Sequence, residues 1–239
     1  MMSEQIRLEN LTIFMQRRAV KHVYLRVHPP DGRVTLVAPT GTRLEVVRAF
    51  VTAKLDWIHK QQAKLQAQVR EVPRQFIGGE SHTVWGRHYV LQVVEKSAGP
   101  CVLMDQQTIT LQVRPGSDLF KRAAVMHAWH KSLLHAAVPD LIGKWQERLG
   151  VSVSAYFLQQ MKTRWGSCNT RRRHIRLNTD LVRKPQDLLE YVVVHELVHL
   201  IEPSHNKRFV GLMDQHYPAW REATAELNQI PLSAIRPRG

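Results

Sequence analysis

Val23, Leu25 and Val27 alternate with polar residues, and the alternation resumes at Val34 and Leu36 beyond Pro29-Pro30-Asp31-Gly32. Period-two patterning on both sides of four turn-forming residues predicts a β-hairpin. The period then changes. Leu44, Val47, Val51, Leu55 and Ile58 recur at helical spacing to about Val69, and Thr42-Arg43-Leu44-Glu45 reads as a capping box at the helix start. After Pro73, "FIGGESHTVWGRHYVLQVV" and "CVLMDQQTITLQV" return to strand patterning with turns between strands, predicting two more hairpins.

A long helical pattern follows, from Ser117 or Asp118 as N-cap to Gly150 as the C-terminal glycine, with Pro139 expected to kink or split it. "VSVSAYFLQQM" and "HIRLNTDLV" read as strands flanking "KTRWGSCNTRRR". Pro185 suits the first position of a helix, and shorter helices are expected from Lys207 to Gln215 and from Pro218 onward. Strands dominate early and helices late, so the fold class is α+β, without the alternation that builds a parallel sheet. No internal repeat is visible. The expected organisation is a single domain over residues 1–239, with a strand-rich subregion at 1–115, a helical subregion at 116–239, and a soft boundary near Pro115-Gly116-Ser117.

Composition changes this picture little, and charge changes it more. The chain is 44% apolar and 23% charged, as in ordinary globular proteins, and no apolar run approaches a membrane span. The first residues lack a secretory pattern and the two cysteines are far apart, so a cytoplasmic location is expected, with no membrane association and no obligate protein partner. Lys and Arg outnumber Asp and Glu 34 to 20, a net charge of +14. That balance suits nucleotide or nucleic acid as a partner, although a solvated basic surface explains it equally well.

His195-Glu196-Leu197-Val198-His199 is an HExxH motif on a predicted helix. Four residues make a little over one turn, so both imidazoles share a face and can converge on one zinc ion. Glu196 is rotated off that face, where a carboxylate can serve as general base toward a metal-activated water. Leu189, Val193, Leu197 and Leu200 supply the face that anchors the helix. Pro203 disfavours helix at Glu202, so the helix should stop there and let the chain bring His205 back as third ligand. Metzincins share this HExxH-x5-H spacing but place a glycine where this chain has Glu202. Glu222 or Glu226, from a later helix, is the rival third ligand.

The second dense stretch is "KTRWGSC". Arg164 could steady a transition-state oxygen beside a wall made by Trp165-Gly166. A strand end with a packed tryptophan and a solvated arginine is the plainer reading, and from physics alone it stands ahead. Cys168 is a ligand by type but reads as a small buried residue. Arg171, Arg172 and Arg173 occupy a predicted hairpin loop. With Lys162, Arg164, Arg183 and Lys184 they form either a basic rim for phosphate or an acidic peptide, or a solvated turn. His127, His130 and His135 lack a neighbouring base and read as surface or packing residues.

Taken together, "MKTRWGSC", "IRLNTDL", "YVVVHELVHL", "SHNKRF" and "YPAWREATAEL" resemble the YgjP-like metallopeptidase family, a relative of SprT-like and WLM zincins. "VYLRVHPPDGRVTLVAP", "FVTAKLDWIHKQ" and "FIGGESHTVWGRHYVLQV" extend the resemblance over residues 15 to 230. It implies a zincin-like catalytic half with one zinc per chain. His195, His199 and His205 correspond to the ligands and Glu196 to the base. The family often has Asn before the third histidine, where this chain has Ser204. Peptide or protein is the implied substrate. Alternatives are a nucleotide pyrophosphatase acting on UTP, or a peptidase processing DNA-associated proteins.

Overall fold

In a computed structural model, which describes residues 4–8, 10–28, 31–67, 74–161 and 163–229, the three predicted hairpins and two further strands before residue 20 form two separate four-stranded sheets. The chain divides into two compact units, Met1–Arg70 and Glu71–Gly239. The division falls after the helical segment near residue 70 rather than near Pro115-Gly116-Ser117. Those three residues make a tight turn inside the second unit, where the Ser117 amide and hydroxyl both donate to the Arg114 carbonyl.

In the first unit, β1 (Glu4–Leu8), β2 (Leu11–Arg18), β3 (Tyr24–His28) and β4 (Arg33–Pro39) form a sheet of order β1-β2-β4-β3. The predicted hairpin is the antiparallel pair β3/β4, with Val27 opposite Val34. Residues 29–30 of its turn lie outside the described residues. One face is apolar and fully buried at Ile13, Met15, Val34 and Leu36, together with Val47, Val51 and Ile58 of the helices. The predicted single helix is two, α1 (Leu44–Thr52) and α2 (Leu55–Ala67). The capping box does not form. Arg43 is the N-cap residue without a side-chain cap, while the Thr42 carbonyl accepts from Arg17 Nη1 at 2.6 Å. The predicted extension to Val69 and the stop at Pro73 lie outside the described residues.

The second unit opens with the two other predicted hairpins. β5 (Ser81–Val84), β6 (Arg87–Glu95), β7 (Cys101–Met104) and β8 (Thr108–Val113) take the order β5-β6-β8-β7. In both sheets two antiparallel hairpins join through parallel inner strands, β2/β4 and β6/β8. This is a repeat of topology, although no repeat is visible in the residues. α3 (Leu119–Leu149) has Asp118 as its N-cap, accepting from the Lys121 amide, and ends at left-handed Gly150. Pro139 does not split it. The helix continues through the proline with Leu134, Val138, Ile142 and Trp145 all buried.

A third sheet, order β10-β11-β9, comprises β9 (Ala155–Gln159), β10 (Gly166–Asn169) and β11 (His174–Asn178). A 3-10 turn over Thr179–Arg183 leads to α4 (Gln186–Val198), α5 (Lys207–His216) and α6 (Trp220–Gln229). Pro185 is the N-cap residue of α4, one position before the expected place. A Cβ on Gly86 would come within 2.9 Å of Pro185 Cγ, and the Trp85 amide donates to the Val182 carbonyl. The β5–β6 turn therefore abuts the start of α4. α4 is buried nearly all round, including Leu189, Val193, Val194, Leu197 and Val198, which is the burial pattern of a helix at the centre of a core.

Two histidines of this unit make its stability pH-dependent. Burial and the nearby Arg74 push the His82 pKa down to about 4, and burial pushes that of His130 down to about 3, from an ordinary 6.5. Between those limits the unfolded chain binds protons that the folded chain refuses. Stability is therefore expected to fall as pH drops below 6.5, by up to about 1.4 kcal/mol per pH unit for each histidine. Urea midpoints at a series of pH values check this, and His82→Gln should flatten the acid limb.

Candidate metal centre

α4 delivers its two histidines one turn apart, and the chain beyond it supplies the third. The helix ends earlier than Pro203 alone predicts. His199 is its C-cap residue, and a turn carries the chain onward, with the Ile201 and Glu202 amides both donating to the Val198 carbonyl at 2.9 Å. His199 keeps right-handed helical geometry, so it stays on the same face as His195.

Glu202, which lacks the freedom of a glycine, shapes the return. Its carboxylate accepts from the Ser204 amide at 3.2 Å and the Ser204 hydroxyl at 2.8 Å. Ser204, standing where the family often has Asn, is thereby tied to the loop. Asn206 then caps α5, accepting from the Arg208 and Phe209 amides. The result places His205 Nε2 3.1 Å from His195 Nε2. One nitrogen from each of His195, His199 and His205 lies within 4.8 Å of the others, the one such cluster of three or more potential ligands among the described residues. Nitrogens bound at 2.0–2.1 Å in a tetrahedral shell lie about 3.3 Å apart, so the donor set fits a single zinc-sized ion.

The far ring nitrogens are held as a ligand set requires. Thr224 Oγ1 donates to the Trp220 carbonyl at 2.6 Å, so it accepts from the Tyr191 hydroxyl at 2.7 Å. That commits the Tyr191 proton, and Tyr191 Oη in turn accepts from His195 Nδ1 at 3.4 Å. His199 Nδ1 donates to the Glu202 carbonyl at 3.1 Å. Both Nε2 atoms are left unprotonated and free for a cation. Burial and the two neighbouring imidazoles push His195 down to about 3, which keeps it neutral. Tyr191→Phe would leave His195 Nδ1 without this partner, and about a tenfold loss of metal affinity is expected, measurable by competition with a chromophoric chelator.

Phe209 completes the support. Its ring centroid lies 5.0 Å from that of His195 and 4.7 Å from those of both His199 and His205. It is almost wholly buried.

Glu196 is buried against the neighbouring sheet. A Cβ on Gly166 would meet Glu196 Oε1 at 2.5 Å and Cγ at 2.8 Å. Trp165-Gly166 is thus more than a wall: the missing side chain is the space the carboxylate occupies. Burial pushes the Glu196 pKa up to about 8, opposed by the positive charge of Arg164. Arg164 is itself placed by Asn178, a fully buried residue whose Nδ2 donates to the Met161 and Arg164 carbonyls.

These groups face a cavity of about 650 Å³ that also includes Ser167, Cys168, Thr170, Tyr191 and Pro203 in its lining. Arg164 lines it, and Arg171, Arg172 and Arg173 do not. They are exposed in the β10–β11 turn, where the Arg172 amide donates to Asn169 Oδ1 and Arg173 Nε to the Ser152 carbonyl. Lys162 lies outside the described residues. Cys168 is half-buried, and burial with nearby Glu196 pushes its thiol up to about 11, unlike a thiolate ligand. Glu222 and Glu226 are exposed on α6 and do not line the cavity. His127 and His130 line a second cavity of about 380 Å³ with His82, and His135 Nδ1 pairs with the Tyr156 hydroxyl.

Phe209, Tyr191, Thr224 and Asn178 do not stand out as functional in the sequence. The hint was density: "SHNKRF" and "YVVVHELVHL" concentrate polar groups and aromatics around the HExxH.

Comparison with known proteins identifies a family. The family described as "YgjP-like, metallopeptidase domain" matches residues 21–230. No curated protein matches significantly. Among solved structures, the metallopeptidase zymogen of Pyrococcus abyssi abylysin is similar at 18% identity and a TM-score of 0.37, covering 40% of this chain and 98% of that one. The metallopeptidase zymogen of Methanocaldococcus jannaschii jannalysin gives 22% identity and a TM-score of 0.34, covering 38% of this chain and 94% of that one. The family match spans most of the chain and contains all four residues of the centre: this protein belongs to the YgjP-like metallopeptidase family.

Proposed function

We propose that the protein is a zinc-dependent peptidase in which His195, His199 and His205 hold one zinc ion per chain and Glu196 is the general base. The observation that carries this reading is that the three imidazoles and Glu196 line one cavity together with the edge strand of a sheet. β10 pairs with β11 alone, and its residues Gly166, Ser167 and Cys168 line the cavity. An extended peptide can add to such an edge through main-chain hydrogen bonds, passing beside the histidines.

With zinc bound, the site has a Lewis acid that polarises a scissile carbonyl and acidifies water. In its ionised form, which Arg164 and a bound cation favour against the effect of burial, Glu196 accepts the proton and returns it to the leaving amine nitrogen. Gly166 fixes where that carboxylate sits. Arg164 offers a positive charge to the oxygen that becomes negative as the carbonyl is attacked. Tyr191 and the Glu202 carbonyl hold two imidazoles in the tautomer that leaves Nε2 free.

Nucleotide pyrophosphatase activity has less support, because Arg164 is the one Arg or Lys in the cavity lining. A cytoplasmic setting fits the two free thiols, Cys101 and Cys168. No helix among the described residues is long and apolar enough to cross a membrane.

The test is metal analysis of the purified chain followed by parallel assays on unfolded protein, a peptide library and a nucleoside triphosphate panel. About one zinc per chain and chelator-sensitive peptide cleavage are expected. Pyrophosphate release without peptide cleavage would overturn the reading.

A further inference from the structure

The first unit carries a surface that the proposed peptidase chemistry does not use. Residues 1–70 contain 12 Lys and Arg against 5 Asp and Glu, a net +7 that is half of the chain's +14. The sheet places three of these arginines, Arg18, Arg26 and Arg33, on one face. The register sets Phe14 beside Thr35 and Thr35 beside Arg26, while Gln16, Val37 and Tyr24 form the next row. Side chains two apart on a strand share a face, so Arg18 and Arg33 join these rows. The opposite face is the buried one, formed by Ile13, Met15, Val34 and Leu36.

The outward face is open. A groove of about 540 Å³ lies over β2, β4 and β3. Arg18, Arg26 and Arg33 are exposed, as is Tyr24, with half its surface accessible. The Arg33 guanidinium lies 3.9 Å from the Phe14 ring centroid, making a flat cationic platform. None of the outward positions of β1 to β4 described above holds an acidic side chain.

We propose that this face binds a single-stranded polynucleotide, with phosphates on Arg18, Arg26 and Arg33 and bases stacked on Tyr24 and the Phe14–Arg33 platform. Charge complementarity selects a polyanion. Aromatic rings interleaved with the arginines select one whose bases are unpaired, because a duplex hides its base faces. Phe14 on β2 and Tyr24 on β3 are separated by β4 and stand in adjacent rows, so the face offers two distinct stacking surfaces.

The test uses the full chain and fluorescein-labelled 20-nucleotide oligothymidine and oligouridine, followed by anisotropy across a salt series. A duplex of the same length and anionic phospholipid vesicles serve as competitors. Both single strands should bind, with affinity falling as salt rises. Replacing Arg18, Arg26 and Arg33 together by Gln should weaken binding at least tenfold and reduce the log–log salt slope by about 2. Tyr24→Ala should weaken it about fivefold at every salt concentration without changing the slope. All four side chains are exposed, and circular dichroism verifies that each variant is folded. Failure of both strands to bind, preference for duplex or vesicles, or a triple variant that binds like wild type overturns the proposal. None of these outcomes bears on peptide cleavage, so the two readings fail separately.

Discussion

Glu196→Gln is expected to lower kcat/KM on a peptide substrate by about 10²–10⁴-fold while leaving the metal in place. The amide keeps the size of the carboxylate and its position beside Gly166, and it removes only the capacity to take up a proton. Gly166→Ala should approach that loss without touching a functional side chain. The added methyl would stand 2.5 Å from Glu196 Oε1, and Glu196 is only 5% exposed, so the carboxylate must leave its position. A displacement of about 1 Å in a catalytic group costs on the order of a hundredfold. Gly166 is not in the left-handed region, so backbone strain does not enter the comparison. Gly211→Ala is the control, since a methyl there meets nothing within 4 Å. Turnover by Glu196→Gln at the wild-type rate would remove the general base from the mechanism. Full activity in Gly166→Ala would mean that the carboxylate acts from elsewhere.

This pair of residues marks the limit of what the sequence reveals. The spacing of His195, Glu196 and His199 is a property of one helix, and helix geometry is the same in every protein. His205 follows from a proline and a short loop, also local. Gly166 lies thirty residues before Glu196, and their contact exists because β10 packs against α4. No local pattern encodes that. Phe209 and Tyr191 are passed over for another reason: an aromatic at helical spacing reads as core, and both are indeed in the core. The Phe209 contact with His195 and His199 appears only once α5 is placed, whereas Tyr191 stands one turn before His195 on α4 and meets it through helix geometry alone.

Most strands and the helices are legible because burial imposes their periods, but β1, β2 and the short β10 are not read as strands from their residues. The errors were of another kind. Thr42-x-x-Glu45 has the composition of a capping box, but the chain turns so that Arg43 takes the cap position and Arg17 holds the Thr42 carbonyl. Pro115-Gly116-Ser117 has the composition of a linker and is a tight turn. The division near residue 70 carries no comparable signal. Arg171 to Arg173 read in the sequence either as a basic rim or as a solvated turn, and nothing local decides between the two. The β10–β11 hairpin instead carries them beyond the cavity lining.

Removing the ring under the imidazoles should be as damaging to metal retention as removing a ligand is to the site itself. Phe209→Ala is expected to cost about 3–5 kcal/mol of stability, the range for truncating a buried phenylalanine. A general core residue would do no more than that. Phe209 also touches all three histidine rings, with centroids 4.7 to 5.0 Å away, so the truncation leaves His199 and His205 without the surface that fixes their planes. The folded fraction of Phe209→Ala should therefore bind zinc far more weakly than wild type, with Phe209→Leu intermediate. His205→Ala should lose most of the metal with little change in stability, because His205 is exposed. Glu222→Ala and Glu226→Ala should keep full occupancy, since both are exposed and neither lines the cavity. Chelator competition combined with urea unfolding separates these effects. Zinc affinity equal to wild type in folded Phe209→Ala would reduce the ring to ordinary core packing. Loss of metal from either glutamate variant, with His205→Ala still loaded, would transfer the third ligand from α5's leading loop to α6.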